Sequence, residues 1–196
     1  MSYLANLGKI FVASAFVNNI VLLQFLGLCS YIGLTDNMHA SIGMGYAVTF
    51  VTVLAAAVTW IIDRWILIPF HLQPFLQIVS FILVIGSLVG LVEIYIRKMS
   101  PHLYKAMGIY LPLIATNCLI LGVTFINSLQ GFDFVESIVE AVGAAIGYFM
   151  AMLILAGIRE RLRNSELPDF FKGKAIAYMV SGIVALAFMG FQGMIK

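Results

Sequence analysis

Charge is scarce in this sequence. Of its 196 residues only 10% are Asp, Glu, Lys or Arg, against about 25% in an ordinary soluble domain. Hydrophobic residues make up 62%, and a water-soluble chain of this length has too little interior to hide them. A soluble globular domain is therefore excluded. The formal net charge is only +2, so nothing in the overall balance points to nucleic acid. Cysteine is scarce as well: there are two, Cys29 and Cys118, and no C-x-x-C pair. No glycine-rich strand-to-helix loop offers a nucleotide site, so the chain is not expected to hold a complete enzyme active site of its own. Low-complexity stretches are missing too. Ala13-Ser14-Ala15 has the small residues of a signal-peptide cleavage site. It follows Lys9 too closely for an apolar core of about 7–15 residues, and the apolar run continues through it, so the first segment is expected to stay in the mature protein.

What the sequence has instead is long apolar runs. A helix crosses the hydrocarbon core in about 20 residues. Six segments qualify, at 5–34, 40–62, 73–96, 103–127, 135–157 and 174–194. Polar punctuation separates them: Thr35-Asp36-Asn37, Asp63-Arg64 with Pro69 and Pro74, Arg97-Lys98-Met99-Ser100-Pro101, Asn127-Ser128-Leu129-Gln130-Gly131, and the charged stretch from Arg159 to Lys174. The fold expected is all-α: a single integral membrane domain over 1–196 with six transmembrane helices. With six spans, the connections after the first, third and fifth share one face. They carry Arg97, Lys98, Lys105, Arg159, Arg161, Arg163, Lys172 and Lys174, whereas Lys9, Arg64 and Lys196 fall on the other. Positive charge collects in the cytoplasm, which places both termini on the outer side. These basic residues either set topology alone or also dock a cytoplasmic partner.

Layout suggests two halves, about 1–98 and 99–196. Cys29 precedes Gly33 by four residues, as Cys118 precedes Gly122, and each cysteine lies in the first segment of a group of three. The second segment of each group opens on a Ser-Ile pair and small residues: Ser41-Ile42 with Gly43 and Gly45, and Ser137-Ile138 with Gly143 and Gly147. Three spans per half make the second half enter from the opposite face, an inverted repeat of the kind that places sites near the midplane. Chance similarity among glycine-rich apolar segments is the competing explanation. The glycines are expected to permit close helix approach.

Polar side chains within spans are costly and usually have a reason. The first segment holds Asn18, Asn19 and Gln24; the fourth holds Thr116-Asn117-Cys118, shortly after Pro112. Proline removes a helix hydrogen bond, and Asn or Thr can satisfy backbone groups freed at a break, so helices 1 and 4 are expected to be interrupted. Hydrogen bonding that only holds the bundle together accounts for the same residues. Glu93 is either an interfacial carboxylate paired with Arg97 or part of a cation relay, and His39, His71 and His102 read as interfacial. The cysteines admit three readings. A disulfide is the least favoured. An inert buried thiol is the usual case. Iron–sulfur ligation needs four thiolates, and this chain has two, so that reading requires two more from another chain.

Longer motifs carry a resemblance. The stretch from Val17 through Asn18, Asn19 and Gln24 to Gly27-Leu28-Cys29, the stretch Gly108 to Cys118 with Leu111-Pro112-Leu113 and Thr116-Asn117-Cys118, then Ala156-Gly157-Ile158-Arg159-Glu160-Arg161-Leu162 and Ala187-Phe188-Met189-Gly190-Phe191, are similar to the membrane subunits of the RnfA, RnfE, NqrD and NqrE family. The similarity covers essentially the whole chain. Asn18-Asn19 and Thr116-Asn117-Cys118 resemble the RnfA (RsxA) type more than NqrE, which tends to have Glu at the place of Asn18. Rnf-type complexes move electrons between ferredoxin and NAD, coupled to Na⁺ or H⁺ transport across the bacterial inner membrane, and a closely similar complex reduces the sensor SoxR. The resemblance implies pairing with a homologous RnfE-like subunit in opposite orientation, each giving two cysteines to an intramembrane [2Fe–2S] cluster. It thereby implies Cys29 and Cys118 as ligands. Asn18, Asn19, Thr116, Asn117 and Glu93 are then candidates for bracing that site or for an ion path. A secondary-transporter-like, ion-conducting subunit without a redox centre is the alternative.

Overall fold

A computed structural model describes residues 2–67, 75–99, 113–114, 116–163 and 173–192. Pro69, His71, Pro74, His102, Lys105, Pro112, Lys172 and Lys196 lie outside the described residues. Every regular element among those described is helical. In chain order these are α1 (Ser2–Val12), a π-helical turn (Ala13–Val17), α2 (Ile20–Leu23), α3 (Leu28–Leu34), α4 (Met38–Ile62), a second π-helical turn (Asp63–Leu67), α5 (Phe75–Met99), α6 (Cys118–Gln130), α7 (Phe134–Arg163) and α8 (Lys174–Gln192).

Among the described residues three stretches are long and apolar enough to cross a bilayer: Met38–Trp65, Gln77–Ile94 and Phe134–Arg163. Shorter apolar helices are Ala5–Val17, Cys118–Gln130 and Lys174–Gly190. At 1.5 Å per residue, α4 is about 38 Å long and exceeds a hydrocarbon core of about 30 Å. Two of the hydroxyls that α4 buries are satisfied locally. Thr52 and Thr59 each donate to the carbonyl four residues back, Val48 and Ala55, at 2.6 Å, which removes the penalty of an unpaired polar group in apolar surroundings. Large apolar side chains also face outward. Val79, Leu83, Leu91 and Ile94 on α5, and Tyr178, Ile183 and Leu186 on α8, are all more than 60% exposed. A water-soluble surface rarely carries such faces, and a bilayer accepts them.

The chain divides into two compact units: residues 1–46 with 143–196, and residues 47–142. The boundaries fall inside α4 and α7, so this packing division cuts the chain at other places than the sequence halves do. In the first unit α8 packs against α2 and the π-helical turn before it. Tyr31, Tyr148, Met44 and Met152 form the fully buried centre. In the second unit α5 packs against α6, and Phe81, Leu119, Ile120 and Val89 are buried there.

Small residues allow close approach at three of the four glycines singled out from sequence. A Cβ on Gly147 would lie 2.7 Å from the Ala15 carbonyl oxygen, one on Gly143 would lie 3.0 Å from that of Phe11, and one on Gly45 would overlap the Phe149 ring. Gly43 is the correction: nothing lies within 4 Å of its Cβ position. It sits one residue from Met44 on α4 but points into open space, so no close packing explains it.

Candidate functional site

The first apolar segment is one span by composition and three helices by conformation. Helix α1 widens into the π-helical turn, which closes when the Asn18 N–H donates to the Ala13 carbonyl at 2.6 Å. Asn19 then turns extended, and its side chain works in two directions. Its Oδ1 accepts from the Val21 N–H at 3.1 Å and caps α2, while its Nδ2 donates to the Gly147 carbonyl at 3.0 Å. The bare α-carbon of Gly147 makes that approach possible. Helix α2 lasts four residues. After it the backbone passes through left-handed conformations at Phe25 (φ 56°) and Gly27 (φ 85°). The second is natural for glycine and the first is costly for a bulky residue. Gly27 caps α3, and its carbonyl accepts from the Tyr31 N–H and the Ser30 hydroxyl, both at 3.0 Å. Cys29 follows as the second residue of α3 and is exposed.

The fourth segment breaks in the same manner. Asn117 is extended (φ −73°, ψ 112°), its Oδ1 accepts from the Leu119 N–H at 3.1 Å, and it caps α6. Cys118 is the first residue of α6 and is half-buried. The two asparagines do identical work: each accepts the N–H two residues on, at the same distance, where a helix restarts. Cys118 lies in the first turn of the helix that Asn117 caps, and Cys29 lies in the first turn of α3, which starts at Gly27 and not at Asn19. First-turn N–H groups lack partners from a preceding turn and favour negative charge.

The remaining sequence candidates are placed as follows. Asn18 is exposed and lines, with Gln24, Phe25 and Met189, a cavity of about 240 Å³ in the first unit. Thr116 is exposed beside Asn117. Glu93 is half-buried on α5, the helix that also carries Arg97. His39 is exposed at the start of α4.

Structure adds residues that sequence did not single out. Arg159, read from sequence as part of a charged helix end, is buried to 7% exposure. It donates to the Ile32 carbonyl at 2.9 Å and the Thr35 hydroxyl at 2.7 Å, and it pairs with Asp36. It thus ties the end of α7 to the end of α3, the helix that carries Cys29. Ser30 and Tyr148 join the same two helices through a 2.8 Å hydroxyl contact. Glu140 on α7 is buried, with Oε2 lacking a hydrogen-bond partner among the described residues. Its only sequence signal was an acidic residue inside an apolar run.

Among the described residues no group of three or more His, Cys, Asp or Glu side chains gathers as a metal site. Cys29 belongs to the first unit and Cys118 to the second; two thiols are half of the four that a cluster needs, so the rest would have to come from a second chain.

Comparison with known proteins agrees with the sequence motifs. The pattern of the family described as "Rnf-Nqr subunit, membrane protein" matches residues 7–195. The ion-translocating oxidoreductase complex of Syntrophotalea carbinolica has a subunit that is 47% identical over 190 residues, covering 97% of this chain and 98% of that protein. The corresponding subunit of the Na⁺-translocating ferredoxin:NAD⁺ oxidoreductase complex of Acetobacterium woodii is 48% identical, covering 94% and 96%. That of the proton-translocating ferredoxin:NAD⁺ oxidoreductase complex of Clostridium ljungdahlii is 44% identical, covering 95% and 96%. This chain, helical in every described element and matched along nearly its whole length by these proteins, with a capping asparagine in two of its apolar segments, belongs to the Rnf-Nqr family of membrane proteins.

Proposed function

We propose that this chain is the electron-carrying membrane subunit of an Rnf-type ferredoxin:NAD oxidoreductase complex that couples redox chemistry to ion transport. In this reading it spans the bacterial inner membrane six times as two inverted three-helix repeats, with both termini on the outer side. Cys29 and Cys118 each give one thiolate to a [2Fe–2S] cluster, completed by two thiolates of a homologous subunit in opposite orientation.

The observation that carries the reading is the placement of both cysteines in the first turn of a helix that restarts within an apolar segment, with neither thiol fully buried. An inert cysteine is typically among the most buried of residues. A thiol meant for a partner's cluster must be reachable. What joins the two cysteines in one site is the thiolate count and the family resemblance. When bound, such a cluster would accept and pass on single electrons. The chain's own part is to hold the thiolates and to shape their surroundings. Asn117 caps the restart that carries Cys118, Asn19 caps α2 ahead of the Cys29 helix, Arg159 anchors the far end of that helix, and first-turn N–H groups would supply the hydrogen bonds that help set a cluster's potential.

Relatives of similar identity are named for Na⁺ and for H⁺, so identity alone does not choose the ion. The interrupted helices with paired asparagine caps favour one other reading, a transporter-like subunit that conducts an ion without a redox centre. Iron and acid-labile sulfide analysis with EPR of the reduced complex separates the two. Cys29→Ser and Cys118→Ser should each abolish a [2Fe–2S] signal while the subunits stay assembled. A signal that survives both substitutions removes these ligands and leaves the transporter reading.

A further inference from the structure

Helix α3, which carries Cys29, is too short to stand unsupported. It has seven residues, and its capping position is Gly27, which has no side chain to offer. A helix of two turns has little stability of its own. The helix that carries Cys118 differs, with thirteen residues and a capping Asn117. Support for α3 must come from elsewhere in the first unit, and α7 gives it.

One support is Arg159, at the far end of α3. The other meets its first turn. Ser30 and Tyr148 are buried, at 1% and 0% exposure, and their hydroxyl oxygens lie 2.8 Å apart. A third partner fixes the direction of this bond. The Gly27 carbonyl can only accept, and it takes the Ser30 hydroxyl hydrogen at 3.0 Å. A serine has one such hydrogen, so Tyr148 is the donor and Ser30 Oγ the acceptor. The chain of bonds runs from Tyr148 on α7 through Ser30 to the Gly27 carbonyl, and it closes around the turn that holds Cys29. Hydroxyls buried this deeply have no solvent to replace a lost partner. The residue before Tyr148, Gly147, receives Asn19 Nδ2 on its carbonyl at 3.0 Å. Two successive residues of α7 thus hold the starts of both α2 and α3.

We propose that Tyr148 is a positioning residue for Cys29. By donating to Ser30 Oγ its hydroxyl fixes the first turn of α3, sets the direction of the Cys29 sulfur and, through that sulfur, the potential of the cluster. The link to the cluster rests on the function proposed above; the hold on Cys29 rests on the hydroxyl chain alone. Cluster potentials respond to the hydrogen bonding and solvent exposure of the ligand sulfurs, and both change when the backbone carrying a thiolate moves.

Tyr148→Phe is the test, because it removes one hydroxyl and keeps the ring. Ser30→Ala breaks the same chain from its other side. Two readouts are followed. In the full chain in nanodiscs, with Cys118→Ser so that Cys29 is the sole thiol, maleimide alkylation should be faster by about threefold or more in either variant. In the assembled complex with both cysteines intact, redox titration of the [2Fe–2S] EPR signal should show the reduced-to-oxidised ratio at a fixed potential altered by about threefold or more in either variant. The double variant should go no further than the singles, since both remove one shared bond. Unchanged alkylation in both variants overturns the proposal with no complex needed. A parental potential in both overturns it even where alkylation quickens, because a merely structural hydroxyl would loosen the turn and leave the cluster alone. Effects that add in the double variant overturn it too, since they then arise outside the shared bond. Failure of the ligand reading shows separately, as a cluster signal that survives Cys29→Ser. The link to the potential then falls with that reading, and the alkylation rates decide the hold on Cys29.

Discussion

Replacing Arg159 with Met removes a guanidinium that is buried to 7% exposure and holds three oxygens of the α3 terminus. The three are not equal. The Asp36 side chain is 64% exposed, so when the pair breaks its carboxylate returns to water, and a pair of that kind contributes less than about 1 kcal/mol. The Ile32 carbonyl and the Thr35 hydroxyl are buried and would keep only the long 3.5 Å bond from the Thr35 hydroxyl to that carbonyl. A hydrogen bond from a charged donor contributes about 1.5–3 kcal/mol, and a stranded buried acceptor costs about 1–3 kcal/mol. Recovered desolvation of the arginine offsets part of this. The net expectation is a loss of about 2–4 kcal/mol for Arg159→Met, against less than about 1 kcal/mol for Asp36→Asn. Because α3 carries Cys29, the loss should also show as faster alkylation of Cys29 by a maleimide. Denaturant titration of the purified chain, with alkylation rates measured alongside, gives both numbers. If Arg159→Met melts like the parent, or if Asp36→Asn costs as much as Arg159→Met, the buried acceptors are not what the arginine stabilises.

Two smaller perturbations check the backbone reading. Gly147→Ala places a methyl 2.7 Å from the Ala15 carbonyl oxygen and 3.1 Å from Asn19 Nδ2, so it should cost about 1–3 kcal/mol. Gly43→Ala, with nothing within 4 Å, should gain up to about 1 kcal/mol from helix propensity. Equal effects in the same unfolding assay would refute the close approach at Gly147. Phe25→Gly relieves a left-handed conformation at a residue whose side chain is 56% exposed, and should be neutral or stabilising by up to about 1 kcal/mol. A clear loss in its thermal midpoint would show that the Phe25 ring, not the turn, is what the position needs.

How much of this is legible in the sequence depends on what ends each element. Apolar runs end where polarity begins, and that signal serves well for 40–62, 73–96 and 174–194, which appear as Met38–Ile62, Phe75–Met99 and Lys174–Gln192. By composition the fifth run ends at 157, yet α7 continues to Arg163. A helix end is set by hydrogen bonding and not by hydropathy, and Arg159 is held inside by the α3 terminus. The interruption of the first segment is legible because Asn18 and Asn19 are out of place in a lipid-spanning run. The second restart at Gly27 is not, since a glycine in an apolar span has several other uses. A polar cavity beside Asp63 is hidden for a simpler reason. In the sequence Asp63, Asn127 and Ser128 read as punctuation between spans, and only tertiary structure brings residues this far apart onto one cavity.

The two restarts also bear on why the breaks persist. A plain apolar helix satisfies every interior amide at no cost, whereas a break in hydrocarbon leaves amides that cost several kcal/mol each unless capped. Asn19 and Asn117 spend a polar side chain on that task, and Asn19 is further fixed by the Gly147 carbonyl. A segment as short as α2, at four residues, has no helical stability of its own and stands because it is capped and packed against α8. Stability alone would favour replacing the whole arrangement by leucine. What breaks of this kind supply is a helix start within an apolar segment, and each cysteine occupies one, Cys118 after Asn117 and Cys29 after Gly27. The match between the two cysteine segments is not one of residue count, since Cys118 directly follows its capping Asn117 while Cys29 stands two residues after Gly27 and ten after Asn19. It is a match of position within a first turn, which is the property that a thiolate bearing negative charge would use.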